Sequence, residues 1–410
     1  MKVWLKLLIG SILGVSLGFL LPHDHQTVLG VLAWLEKLAI QIGRYAMVPT
    51  LVFGLMIAVF ELRQDRQLWG LVFKTSGLLV AGSILIIGSG IIITIAFPPA
   101  RIPILIEGQK ESLSLEIGRG MLELFPSNML SALISDGAYL LPAVVFAFFM
   151  GGGLSYDRTY SKAVTGLIDS FSRVFYYIAS FFSEILGLVI ILLGAYWAVR
   201  FHGALQADVF QDILRLLGIY ALVLGFGIFP LFLYLLGPKT NPWKQLYGAL
   251  GPALAGFFSG DMHFTLPVLI RHAKDSHGVR RRSNALTLSL FGVFGRAGSA
   301  MVAAISLIVI IKSYSSLGVT AADLASIFIR AVFISFLLAR HPGDGAYAAL
   351  AVLCADFGRG FEAGYLILKP IAFYLVAIGT LIDVLFASLA TYAIARLSGF
   401  QEDKEARHFI

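Results

Sequence analysis

The chain has 410 residues, of which 58% are hydrophobic and 13% charged, with a formal net charge of +7 and a mean hydropathy of +0.85. An ordinary soluble domain is about 45–50% apolar, so that class is excluded, and repeated apolar stretches of about 20 residues, rich in glycine and aromatics, favour a helical bundle over a barrel of alternating strands. The single cysteine, Cys354, excludes an internal disulfide or a cysteine metal cage, and basic residues placed in short loops fit a positive-inside orientation better than nucleic-acid binding.

In chain order, the first predicted span runs from Val3 to Leu21 behind Lys2, and the absence of a clear small-residue cleavage site makes it a retained helix. His23-Asp24-His25 reads as a solvated turn, because a metal would need a further ligand nearby. The second span, Trp34 to Phe60, carries Glu36, Lys37 and Arg44 in its first turns, where they snorkel or meet a neighbouring protomer. The third, Leu68 to Phe97, ends at Pro98-Pro99. Pro126, Asn128, Gly137 and Pro142 divide the fourth, Leu122 to Met150, into short pieces. The fifth and sixth spans are Phe171 to Val199 and Leu214 to Leu236.

The remaining segments are interrupted, and these interruptions carry the functional argument. Leu250 to Ile270 has Ser259-Gly260-Asp261-Met262-His263 at its middle, which suits a hairpin that enters the bilayer and returns to the same side. The loop Arg271 to Arg282, with five basic residues, is the strongest cytoplasmic marker. In Thr287 to Ile308, Gly292, Gly295 and Gly298 allow the backbone to unwind around Arg296, a charge that costs ~2.5 kcal/mol or more at mid-bilayer. Ala321 to Phe357 carries Arg340-His341-Pro342-Gly343-Asp344-Gly345 at its middle and reads as a second hairpin, entering from the opposite face. The last span, Leu366 to Ala395, contains Asp383 in an apolar run and exits at Arg396. Discontinuous segments in both halves of a chain point to a transporter's midplane site. The expected fold class is therefore an all-α membrane protein with eight transmembrane helices, two re-entrant helical hairpins and both termini cytoplasmic.

The order of parts resembles the dicarboxylate and amino-acid:cation symporters, with a glutamate-transporter-like fold. LKLLIGSILGVSLGFLLP (Leu5 to Pro22) is similar to that family's first helix, TLPVLIRHAKD (Thr265 to Asp275) to the exit of its first hairpin, and HPGDG (His341 to Gly345) to the tip of its second. The resemblance implies a homotrimer with a rigid scaffold, residues 1–70 and 116–210, and a mobile transport domain, residues 71–115 and 211–397, followed by a cytoplasmic tail at 398–410. It also implies an elevator-like motion in the inner (plasma) membrane. The family's motifs are only partly kept. Asp261-Met262-His263 stands where the family has a serine-rich tip, and its seventh-helix Asn-Met-Asp-Gly-Thr falls on Gly295-Arg296-Ala297-Gly298-Ser299. In the last helix the family's substrate arginine falls on Gly379, its amine-binding aspartate on Val376, and a sodium-ligating asparagine on Asp383.

The sequence thus points to a secondary transporter for a small anionic solute such as a dicarboxylate or amino acid, with no cofactor. The expected substrate-binding residues are Arg296, Asp261, Met262, His263, Gly298, Ser299, Arg340, Pro342, Gly343, Asp344 and Asp383. The loss of seventh-helix cation ligands argues against sodium coupling and leaves H⁺ and Na⁺ as the alternatives. A solute sensor or an anion channel are the rival functions, while an intramembrane enzyme is disfavoured because no nucleophile and base pair or metal-ligand cluster lies within the spans.

Overall fold

A computed structural model describes residues 2–22, 25–103, 123–126, 128–134, 138–206, 208–235, 241–314 and 318–410. The described chain is helical throughout, apart from one isolated antiparallel bridge between Val279 and Gln401. Seven stretches among the described residues are long and apolar enough to cross a membrane. The fourth expected span is absent from that set: its described parts are one turn at Ser131–Ile134 and helix α5, Leu141–Leu154, as its prolines foretell. The His23-Asp24 pair lies outside the described residues.

The first group of helices is α1 (Val3–Leu20), α2 (Gln26–Arg44), α3 (Met47–Gln64), α5 and α6 (Arg158–Gln206). Helix α1 lies along α6 because Gly10, Gly14 and Gly18 present a bare backbone to Gly187, Ile191 and Ala195 of α6; a Cβ at any of them would collide with a carbonyl oxygen. Two expectations are corrected here. The second span is two helices broken at Tyr45-Ala46, so Arg44 stands at the break rather than in the first turns. The fifth is a 49-residue helix, ~73 Å long, because its polar ends stay helical beyond the apolar stretch that hydropathy detects.

The second group surrounds α11 (Ala297–Tyr314), in which every residue from Ala297 to Ile311 is buried. It continues α10 (Arg281–Phe294) across a break at Gly295-Arg296. Around it pack α4 (Leu68–Ala96), α12 (Ala321–Ser335), α13 (Gly345–Phe357) and α14 (Ala372–Leu397). Helix α7 (Gln211–Val223) runs through a π turn into Phe229–Leu235. Two helical hairpins complete the group.

In the first hairpin, α8 (Pro242–Ser259) starts with a proline in its first turn and an Asn241 side chain that accepts from the Lys244 amide at 3.1 Å. It stops at Gly260, whose left-handed φ of 60° favours glycine, and α9 (Met262–Asp275) leaves under an Asp261 cap on the Phe264 amide at 2.9 Å. The second hairpin pairs α12, opened by a Thr320/Asp323 capping box, with α13 across Leu338–Gly345. The C-terminal tail folds back rather than trailing into solvent: Arg280 N donates to Phe400 O at 2.8 Å, and Phe409 is buried against Tyr247.

Candidate functional site

The two hairpin tips and the break of α10–α11 meet at one place. The Met262 amide donates to the Pro342 carbonyl at 3.0 Å, joining tip to tip. The Arg296 Nη2 donates to the carbonyls of His341 at 2.8 Å and Pro342 at 3.0 Å, so the guanidinium holds the second tip onto the break. Irregular backbone at this depth needs partners for its freed carbonyls, and a planar cation with fixed donors supplies them. Arg296 is only 1% exposed and is the largest fully buried side chain among the described residues.

Asp383, on α14, faces the same break. Its Oδ1 accepts from the Gly298 amide at 2.6 Å and the Ser299 amide at 3.3 Å, and its Oδ2 accepts from the Ser299 hydroxyl at 2.6 Å. The carboxylate therefore caps the N-terminus of α11, where helix geometry leaves amides without intrahelical partners. Gly298 is required by this crossing, since a Cβ there would lie 2.7 Å from Gly379 O and 2.6 Å from Ile382 Cβ. Arg296 Nε lies 3.8 Å from Asp383 Oδ2, an ion pair without a hydrogen bond, and Nε and Nη1 have no hydrogen-bond partner among the described residues. Two nitrogens of a buried cation, with three N–H donors between them, thus remain available.

Arg296, Gly298, Ser299, Pro342, Asp383, Asp261 and Met262 are brought together, with Gly343 beside them: a Cβ on Gly343 would lie 3.0 Å from Asp261 Oδ2. Asp261 and His263 are each 1% exposed, so both side chains at the first tip are buried within the protein. Arg340 points away to Glu123, 2.7 Å distant, and over the Tyr139 ring. Asp344 pairs with His341 Nδ1 at 3.1 Å and lines a separate cavity of about 220 Å³.

Arg44 is a residue the sequence reading did not connect to the site. It ion-pairs with Asp261 through Nη2 and Oδ2, tying α2 to the first hairpin tip. Its one available signal was a charge within a long apolar stretch. A second oversight is Thr380, whose hydroxyl donates to the Gly260 carbonyl at 3.0 Å and fixes the first tip on α14.

Two helical hairpins meeting over a broken, buried helix form the architecture of secondary transporters, whose sites are assembled from discontinuous helices. The sequence profile described as "Sodium:dicarboxylate symporter family" matches residues 3–397. The chain belongs to the sodium:dicarboxylate symporter family and is a multi-pass membrane protein of a family of transporters, not of enzymes. It is similar to a Caenorhabditis elegans protein named "Putative sodium-dependent excitatory amino acid transporter glt-4", with 24% identity over 288 residues, 67% of this chain. The match spans 55% of that relative, so the chain covers about half the length of the curated protein it resembles.

Proposed function

We propose that the protein is a secondary transporter of a small organic anion, a dicarboxylate or an amino acid, and that Arg296 binds the anion with help from the hairpin tips. The observation that carries this reading is the guanidinium at the break, with Nη2 on the second tip's carbonyls and Nε and Nη1 without partners among the described residues. A buried intramembrane charge marks a substrate or ion pathway by default. Family membership supplies the transport class.

In this reading the chain has eight spans and two re-entrant hairpins. Residues 1–70 and 116–210 form a trimeric scaffold, and residues 71–115 and 211–397 form the unit that moves, with residues 398–410 cytoplasmic. Both termini are cytoplasmic because the basic residues gather at one end, around Arg271 and Arg280 to Arg282. Arg296 is then a fixed cation where a metal ion would otherwise be needed, because Gly295 and Ala297 offer no side-chain oxygen. Arg296 and Asp383 make sodium dispensable, and displacement of the guanidinium by a bound anion leaves Asp383 to take up a proton.

Purified protein in vesicles, loaded against radiolabelled succinate, malate, aspartate and glutamate, tests the proposal. Accumulation above protein-free vesicles, reduced by Arg296→Lys, is expected. Binding without uptake would identify a sensor, and steady conductance without solute would identify a channel.

A further inference from the structure

A larger cavity, of about 840 Å³, lies between the end of α6 and the helices α7, α8 and α14, and shares no residue with the Arg296 site. Its walls are apolar along most of their length: Phe201 of α6, Leu222 and Phe226 on α7 and its π turn, Leu250 of α8 and Leu385 of α14. A polar solute would leave its own hydrogen bonds unmade against such walls. Helix α7 belongs to a membrane-length apolar stretch, Asp208 to Leu235, and Ile219, Leu222 and Phe226 are exposed while they line the cavity. The mouth is therefore continuous with the face that the helix turns to lipid.

The charge in the lining stands at one end. Arg215, 68% exposed, gives one of its five N–H groups to Gln211 Oε1 at 2.8 Å, and Asp212 Oδ1 stands 3.8 Å from Nη1, outside hydrogen-bond range. The Tyr374 hydroxyl, also in the wall, is already spent on the Leu214 carbonyl at 3.0 Å. Arg215 lies two turns inside the start of the apolar stretch at Asp208, so its long side chain reaches the membrane–water boundary. From Gln211 to Phe226 the helix rises ~22 Å, more than the ~15 Å of hydrocarbon in one leaflet. The cavity is thus a long apolar slot, open to the bilayer along its side and with a guanidinium at its water-facing end.

We propose that this slot is a phospholipid site, in which one acyl chain of a bilayer lipid lies along α7 and the lipid's phosphate meets Arg215. Charge and shape agree on this occupant: the guanidinium pairs with phosphate oxygens, and the apolar length behind it accepts a chain and nothing that needs hydrogen bonds. The second acyl chain stays in the bilayer, beside the exposed side of α7. Because α6 forms one wall and α7, α8 and α14 the others, the bound chain packs between the two groups of helices. The assignment is independent of which solute, if any, the protein carries.

The test places the protein in phosphatidylcholine nanodiscs doped with one of two probes, phosphatidylglycerol or diacylglycerol, each carrying a diazirine near the end of one acyl chain. After irradiation, adducts are mapped by mass spectrometry. The phosphatidylglycerol probe is expected to label Ile378 and Leu385, which are buried behind the mouth, about fivefold more than the diacylglycerol probe does. Leu250→Trp, which fills the slot, and Leu222→Trp, which narrows its mouth, should each cut that labelling about fivefold, whereas Val223→Trp, exposed on α7 outside the cavity, should leave it unchanged. Arg215→Gln should remove the advantage of phosphatidylglycerol. If one slot variant is not monodisperse by gel filtration, the other decides. Adducts confined to outward positions such as Val223 and Leu231, or undiminished labelling in the slot variants, would overturn the proposal. Equal labelling of wild type by the two probes would overturn the role of Arg215.

Discussion

Arg296 Nε lies 3.8 Å from Asp383 Oδ2, and neither side chain is more than 1% exposed. The same carboxylate takes its close hydrogen bonds from Gly298 and Ser299, and the same guanidinium gives its own to the carbonyls of the second hairpin tip. The ion pair is thus the link between the cap of α11 and the clamp on the tip.

Replacing Arg296 tests that link directly. Arg296→Lys keeps the charge but loses the planar fork, so the two tip carbonyls and a bound anion no longer share one cation. Loss of a charge-assisted hydrogen bond costs ~1.5–3 kcal/mol, which corresponds to about 10- to 150-fold in affinity for an anionic solute. Calorimetric titration of the variant measures it. Unchanged affinity would leave Arg296 as a structural clamp only.

Sodium is expected to be dispensable. Uptake into vesicles should be the same in sodium and in choline buffers at fixed pH and membrane potential. Any dependence on a gradient should follow pH and disappear in Asp383→Asn, in which the amide oxygen still accepts from the Gly298 and Ser299 amides but the side chain carries no titrating charge. A steep sodium requirement would sink the fixed-cation reading.

The Arg44–Asp261 pair is expected to couple α2 to the first hairpin tip. Asp261→Asn keeps an oxygen for the Phe264 amide and so preserves the cap, while removing the ion pair; Asp261→Ala loses both. Arg44 is 27% exposed, so the coupling should fall below the 3–5 kcal/mol of a fully buried pair, at ~1–3 kcal/mol in a double-mutant cycle. The charge swap Arg44→Asp with Asp261→Arg should recover part of the thermal stability lost by either change alone. Strictly additive losses would show that the two groups do not act together.

Stability should fall in mild acid through His277, which follows α9 and lies outside the candidate spans. Burial pushes its pKa down to about 4, and its Nε2 is within 3.1 Å of the Gln245 carbonyl, with His272 and Tyr392 facing the same space. The folded state therefore resists protonation that the unfolded chain accepts near pH 6.5. Stability is full above that value, declines as pH falls towards 4, and the loss reaches ~3 kcal/mol. Melting curves from pH 7.5 to 4.5 should show this slope, and His277→Gln should reduce it, with the buried His272 accounting for part of what remains. An equal slope in the variant would assign the effect to other groups.

What the sequence determined by itself was every feature that a local signal encodes. Gly260, the Gly295-Arg296 break and His341 to Gly345 were legible because glycine, proline and charge within apolar stretches cannot continue a membrane helix unaided. The turns of both hairpins fall where those residues stand. Helix ends outside the apolar stretches were not legible: α6 runs from Arg158 to Gln206, and its first turns, largely exposed, continue the helix without an apolar signal. Pairings were decided only by the tertiary structure. Arg44 and Asp261 are 217 positions apart, and Ser299 and Asp383 are 84 apart. Desolvation makes each buried charge require a partner, but the requirement does not say which one; only the packing of α2 on the first tip and of α14 on the break chooses it.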